Sequence, residues 1–151
     1  MTVWVLGDQL SREVASLEGA APETTTVLFV TSRAKLASKS WHRQRLHAVM
    51  AGMRRFAGEL RAEGFTVDER EAGSLAGGLR AHREVFPLNT VRAMEPMSYD
   101  GLALLHDNNV EIVRSNQFLC HRDDFAAWAA GRPGRLVMED FYRWQLRRHG
   151  Y

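Results

Sequence analysis

Residues 24–31 read TTTVLFVT, a run that is β-branched and apolar with no alternation, and this constrains the fold more than any other stretch. A strand with one wet face alternates polar and apolar side chains. A strand that is apolar at both parities is covered on both sides, as in parallel sheets flanked by helices. The neighbouring segments supply the helices such a strand needs. Residues 40–63 place Leu46, Val49, Met50, Met53, Phe56, Ala57 and Leu60 at helical spacing, with arginines opposite. This stripe should lie on the sheet, burying Met53 and Phe56. Gly64 is the stop signal for that helix.

The remaining chain repeats the alternation. Strands are expected at 3–6, 65–71, 90–94 and 110–113, and helices at 74–84 and 98–106. The 74–84 helix is loosened by Gly77 and Gly78. Two further helices, 122–130 and 136–148, flank the turn Gly131, Arg132, Pro133, Gly134. Strands alternating with helices predict an α/β protein with a mostly parallel, five-stranded sheet and helices on both faces. At 151 residues, a single domain with its own core is expected.

Composition removes several function classes. The lone Cys120 allows no intrachain disulfide and no cysteine-held zinc or iron–sulfur site, which fits a reducing cytoplasm. None of the six histidines forms an H-x-x-x-H pair with a suitable third ligand, so no metal site is expected. No serine sits in a nucleophile elbow, and Cys120 has no base nearby in sequence. No apolar run approaches the ~20 residues of a membrane span. The net charge is +2, yet between Arg33 and Arg61 eight basic residues face one acid, Glu59. That run could meet phosphate or an acidic partner, or be a solvated helix face. The tail interleaves Phe125, Trp128, Phe141, Tyr142 and Trp144 with arginines. Such a pattern suits single-stranded nucleic acid, but packing of the helices onto the sheet or another domain is the preferred reading.

Gly7, Asp8 and Gln9 directly follow the first strand. In open α/β sheets ligands bind beyond the carboxyl ends of the strands, where the strand order switches. Glycine permits close approach, and Asp8 and Gln9 can hydrogen-bond a heterocycle; the same residues can equally be a plain turn. No G-x-G-x-x-G or P-loop is present.

Taken in order, several short motifs resemble the bacterial cryptochrome/photolyase-related proteins, the group containing the iron–sulfur bacterial (6-4) photolyases. They are Val5 to Leu10, His42 opening the long helix, Met53, Arg54 and Phe56 within it, and Glu95 with Pro96. The end carries the fullest match: Phe125, Trp128, Ala129, Gly131 and Arg132, then Met138, Glu139, Phe141, Tyr142 and Arg143. The resemblance covers essentially the whole chain. It implies a Rossmann-like, doubly wound amino-terminal domain, spanning 1–151, that holds an antenna chromophore, a ribityl-lumazine in members of this family. FAD and an iron–sulfur cluster would belong to a following helical domain, which also binds DNA and would be this chain's partner. The chain stops after an amphipathic helix, as a domain cut from something larger would. By itself it is expected to be non-catalytic.

The resemblance places the antenna pocket between Gly7, Asp8 and Gln9 and the segment bearing Lys35, Ser38 and His42. Many relatives carry an acid and an aromatic hydroxyl where Lys35 and Ser38 stand here. A lysine at that place suits a ligand with negative charge. The alternative function is a stand-alone α/β protein that binds a nucleotide or a regulatory partner without photochemistry.

Overall fold

Both parities of the second strand are buried, and this organises the molecule. In the computed structural model, which describes residues 1–151, β2 (Thr26–Ser32) sends Val27 and Phe29 to one face and Leu28 and Val30 to the other. It lies between β1 (Thr2–Trp4) and β3 (Thr66–Ala72). The strands β4 (Val91–Met94) and β5 (Glu111–Val113) continue the sheet beyond β1. The order is β3-β2-β1-β4-β5, and every pairing is parallel, with Thr2 opposite Thr26 and Val91. The chain winds outward from β1 through β2 to β3, then returns past β1 to build β4 and β5. The switch in direction therefore falls between β1 and β4, where such sheets open a crevice at their carboxyl ends.

Helices cover each face, so the doubly wound α/β expectation holds. On one side α2 (Arg43–Ala62) buries Met53, Phe56, Ala57 and Leu60 against Val3, Val27 and Phe29. Phe56 meets Phe29 edge-on, with centroids 6.1 Å apart. Gly64 ends α2 at φ 93°, and the Phe65 amide bonds back to the Leu60 carbonyl at 3.0 Å. On the other side α3 (Leu75–Val85) and α4 (Tyr99–Asp107) contribute Leu79 and Leu105 to a core with Trp4, Leu28, Val30 and Ala93. Ser74 and Ser98 cap these two helices on the amides of Gly77 and Gly101.

Two details depart from the sequence reading. Gly78 does not loosen α3: a Cβ there would lie 2.3 Å from Val30 Cγ1, so its absence lets the helix rest directly on β2. A five-residue helix, α1 (Arg33–Ala37), follows β2 immediately and is capped by the Ser32 hydroxyl on the Lys35 amide at 3.1 Å. One turn is too short to show a hydrophobic period.

The chain divides into two compact units, Met1–Ser115 with the whole sheet and Asn116–Tyr151. The second contains α5 (Arg122–Ala130) and α6 (Met138–His149). Their rings pack on one another: Trp128 meets Phe141 at 5.1 Å and Phe125 at 5.7 Å between centroids. The tail aromatics thus form a small core of their own. No helix is long and apolar enough to cross a membrane.

Candidate functional site

A cavity of about 400 Å³ opens at the carboxyl ends of β1, β2 and β4, on the switch in strand order. That volume lies in the range that takes a small heterocyclic ligand. Residues Trp4 to Asp8 leave β1 along it, Ser32 and Lys35 come from the β2 end and α1, and Pro96, Met97 and Ser98 follow β4.

One wall is the first half of α2. Leu46, Val49, Met50 and Met53 all line the cavity, and Val49 is 37% exposed while Phe56, two turns later, is 5% exposed. One apolar stripe therefore serves two purposes. Its carboxyl half is covered by the sheet, and its amino half is left facing open space. An apolar stripe that protein covers only in part is suited to be a ligand wall.

Two glycines keep the space open. At Gly7 a Cβ would sit 3.3 Å from both Met53 Sδ and Val49 Cγ1, because α2 runs over the turn. At Gly101 it would meet Ser98 Oγ at 2.9 Å and Pro96 at 3.0 Å. A larger residue at either place would shift the walls.

Trp41, in the link between α1 and α2, also lines the cavity. Its Nε1–H donates to the Lys35 carbonyl at 3.2 Å, which fixes the indole. Lys39 Nζ lies 4.8 Å and Arg45 Cζ 5.9 Å from the ring centroid, within reach of a cation–π attraction. The ionisable side chains of the lining are Asp8, Lys35 and Arg45.

Of the residues singled out in the sequence, Gly7, Asp8 and Lys35 line the cavity, whereas Gln9, Ser38 and His42 do not. Gln9 is 1% exposed, and its Nε2 donates to the carbonyls of Met94 and Glu95 at 3.2 and 3.3 Å. It ties the β1 turn to the end of β4 and so holds two cavity walls together. The Ser38 hydroxyl donates to the Lys35 carbonyl at 2.8 Å, closing α1. His42 is the exposed residue preceding α2, with no side-chain cap bond. Trp41, Arg45 and the partly exposed half of the α2 stripe were missed. The tryptophan just ahead of the helix and the arginine on its first turn were the available signals.

A second buried polar group lies at the amino-terminal end of β1. His82, on α3, is fully buried and bonds Asp68 Oδ2 through Nδ1 at 2.6 Å and the Thr2 hydroxyl through Nε2 at 2.9 Å. The carboxylate can only accept, so Nδ1 carries the proton and Nε2 accepts from Thr2, whose oxygen accepts from Asn89 at 3.0 Å. Burial lowers the proton affinity of His82, outweighing the opposing hydrogen bond and charge of Asp68. With every polar atom of the ring satisfied in the neutral form, this is a structural brace between β1, β3 and α3. No group of three or more His, Cys, Asp or Glu is placed to hold a metal ion.

Comparison with known proteins gives this cavity a context. Residues 3–151 match the family described as deoxyribodipyrimidine photo-lyase-related protein. The chain belongs to that family. It is also 32% identical over 160 aligned residues to a (6-4) photolyase of Agrobacterium fabrum (strain C58 / ATCC 33970), with 98% of this chain covered. The match takes in 31% of that photolyase's length, so the chain corresponds to about a third of its relative.

Proposed function

We propose that this chain is the chromophore-bearing, amino-terminal part of a photolyase-related flavoprotein, and that the cavity after β1 holds an antenna. The carrying observation is the amino half of the α2 stripe, a partly exposed apolar wall beside the β1 turn, with a hydrogen-bonded tryptophan at the strand-order switch of a family member. A planar ribityl-lumazine-like ring fits the chemistry of that lining. Leu46, Val49 and Met50 would cover its faces, Trp41 would offer an aromatic surface, and the turn at Gly7 would let the backbone approach its edge. The ring's chemistry is light absorption. The protein's own task is to exclude water and to fix the ring's orientation.

In this reading the parent protein carries out light-dependent DNA repair or blue-light sensing through a flavin and an iron–sulfur cluster bound outside these residues. The present chain serves as antenna and scaffold and performs no chemistry alone. Fluorescence titration of the chain with ribityl-lumazine tests the site. Saturable binding that is abolished by Val49→Trp, which fills the cavity from its partly exposed wall, supports the antenna reading. Binding that survives Val49→Trp, or no binding of ribityl-lumazine or its phosphate ester at millimolar concentration, overturns it.

A further inference from the structure

Of the three ionisable side chains that line this cavity, Lys35 and Arg45 are cations and Asp8 is the one acid, so the lining carries a net positive charge. Lys39 rests on Trp41 beside the two cations. Neither Lys35 nor Arg45 lies within ion-pair distance of a carboxylate. Two other arginines of α2 are paired, Arg55 with Glu59 at 2.8 Å and Arg61 with Glu69 at 2.6 Å. Arg45 also occupies the first turn of α2, which contains no acid. A cation there opposes the helix dipole, so the arrangement costs stability unless negative charge arrives from elsewhere.

The inner walls are different in kind. Leu46, Val49 and Met50 offer no hydrogen-bonding group, so the α2 wall suits a ring, and an anionic end finds its cations in the exposed Lys35 and Arg45. We infer that the cavity selects a planar heterocycle whose flexible arm ends in a phosphate. The ring lies among the α2 side chains and Trp41, and the phosphate lies on Lys35 and Arg45. This rests on the antenna reading and adds to it the charge of the ligand. Lys35 supplies a compact point charge, and Arg45 a fork that can hold two phosphate oxygens.

A matched pair of ligands separates the claim about charge from the claim about the cavity. Ribityl-lumazine and its phosphate ester share ring and arm and differ only at the terminus. Each is titrated by fluorescence into the wild-type chain and into Lys35→Glu, Arg45→Glu and the double variant. Arg54→Glu, an exposed position on the same helix outside the cavity lining, matches the change in net charge. Circular dichroism confirms that each variant is folded.

The phosphate ester should bind at least about tenfold more tightly than the neutral compound, because its phosphate gains charge-assisted hydrogen bonds from both cations. This advantage should shrink as salt is raised toward about 0.5 M. It should disappear in Lys35→Glu and in Arg45→Glu, reverse in the double variant, and persist in Arg54→Glu. Equal affinity for both ligands overturns the charge selection while leaving the cavity occupied. A preference lost equally in Arg54→Glu places the effect in overall charge and also overturns it. If neither compound binds at millimolar concentration, the antenna reading falls along with this inference.

Discussion

Phe56→Ala and Val49→Ala form the pair that best tests the division of α2. Both residues belong to one stripe, seven positions apart, and the sequence gives no reason to treat them differently. Phe56 is 5% exposed, packed edge-on to Phe29 in the core under the sheet. Truncating such a ring costs about 3–5 kcal/mol, the sum of lost transfer free energy and the unfilled cavity. Val49 is 37% exposed and borders space that is already empty of protein. Removing its methyl groups creates no new enclosed void, so the cost should stay below about 1 kcal/mol. The chain divides into two compact units, and both residues lie in the first, so the measurement must read the sheet alone. Hydrogen exchange of the β1 and β2 amides in increasing urea does so. The expected result is a large loss for Phe56→Ala, a small one for Val49→Ala, and weakened ligand binding only in the latter. Equal losses at the two positions would refute the division, because Val49 would then be part of the core.

Other outcomes follow from particular atoms. Gly78→Ala should destabilise by about 1–3 kcal/mol, because its Cβ must displace Val30; Gly58→Ala, with open space around it, should instead stabilise by about 0.5–1 kcal/mol. Urea melts of both variants check this pair. His82, held neutral by burial, makes stability depend on acid. Its folded proton affinity lies below the ordinary value of 6.5, so the unfolded chain takes up more protons as pH falls through 6.5. Stability is therefore full above that pH and declines below it, by at most about 1.4 kcal/mol per pH unit. In His82→Gln this slope between about pH 6.5 and 5 should vanish, above the range where carboxylates titrate. A slope unchanged in the variant would assign the acid sensitivity to other groups. Gln9→Ala should loosen the link between the β1 turn and the β4 end; faster exchange at the amides of residues 7–9, with the β2 amides unchanged, is the expected sign.

The sheet was legible because burial on both faces leaves its mark at both parities. Val27 and Phe29 went to one core and Leu28 and Val30 to the other, as the run at residues 24–31 predicts. The α2 register was legible too, and Met53 and Phe56 are buried as expected. What periodicity cannot reveal is the nature of the partner a stripe faces, so Leu46 and Val49 read as core although they wall a cavity. The direction of short polar side chains was equally hidden. Gln9 follows Asp8 in sequence yet turns back to the β4 carbonyls, and Ser38 serves its own helix end. Trp41 escaped notice because its position depends on one bond to the Lys35 carbonyl, which requires the unrecognised α1 turn.

The central claim is that a ring occupies the space between α2 and the β1 turn, and Trp41 provides a reporter inside it. The chain has four tryptophans, and the indole Nε1–H of Trp41 is bonded to the Lys35 carbonyl at the cavity wall. In two-dimensional NMR spectra of the labelled chain, titration with ribityl-lumazine phosphate should shift this indole signal. The amides of Gly7, Arg45, Val49 and Gly101 should shift along the same saturation curve, while those of His82 and of α5 and α6 stay in place. Saturable shifts confined to α5 and α6, or an unmoved Trp41 indole at saturating ligand, would contradict the account.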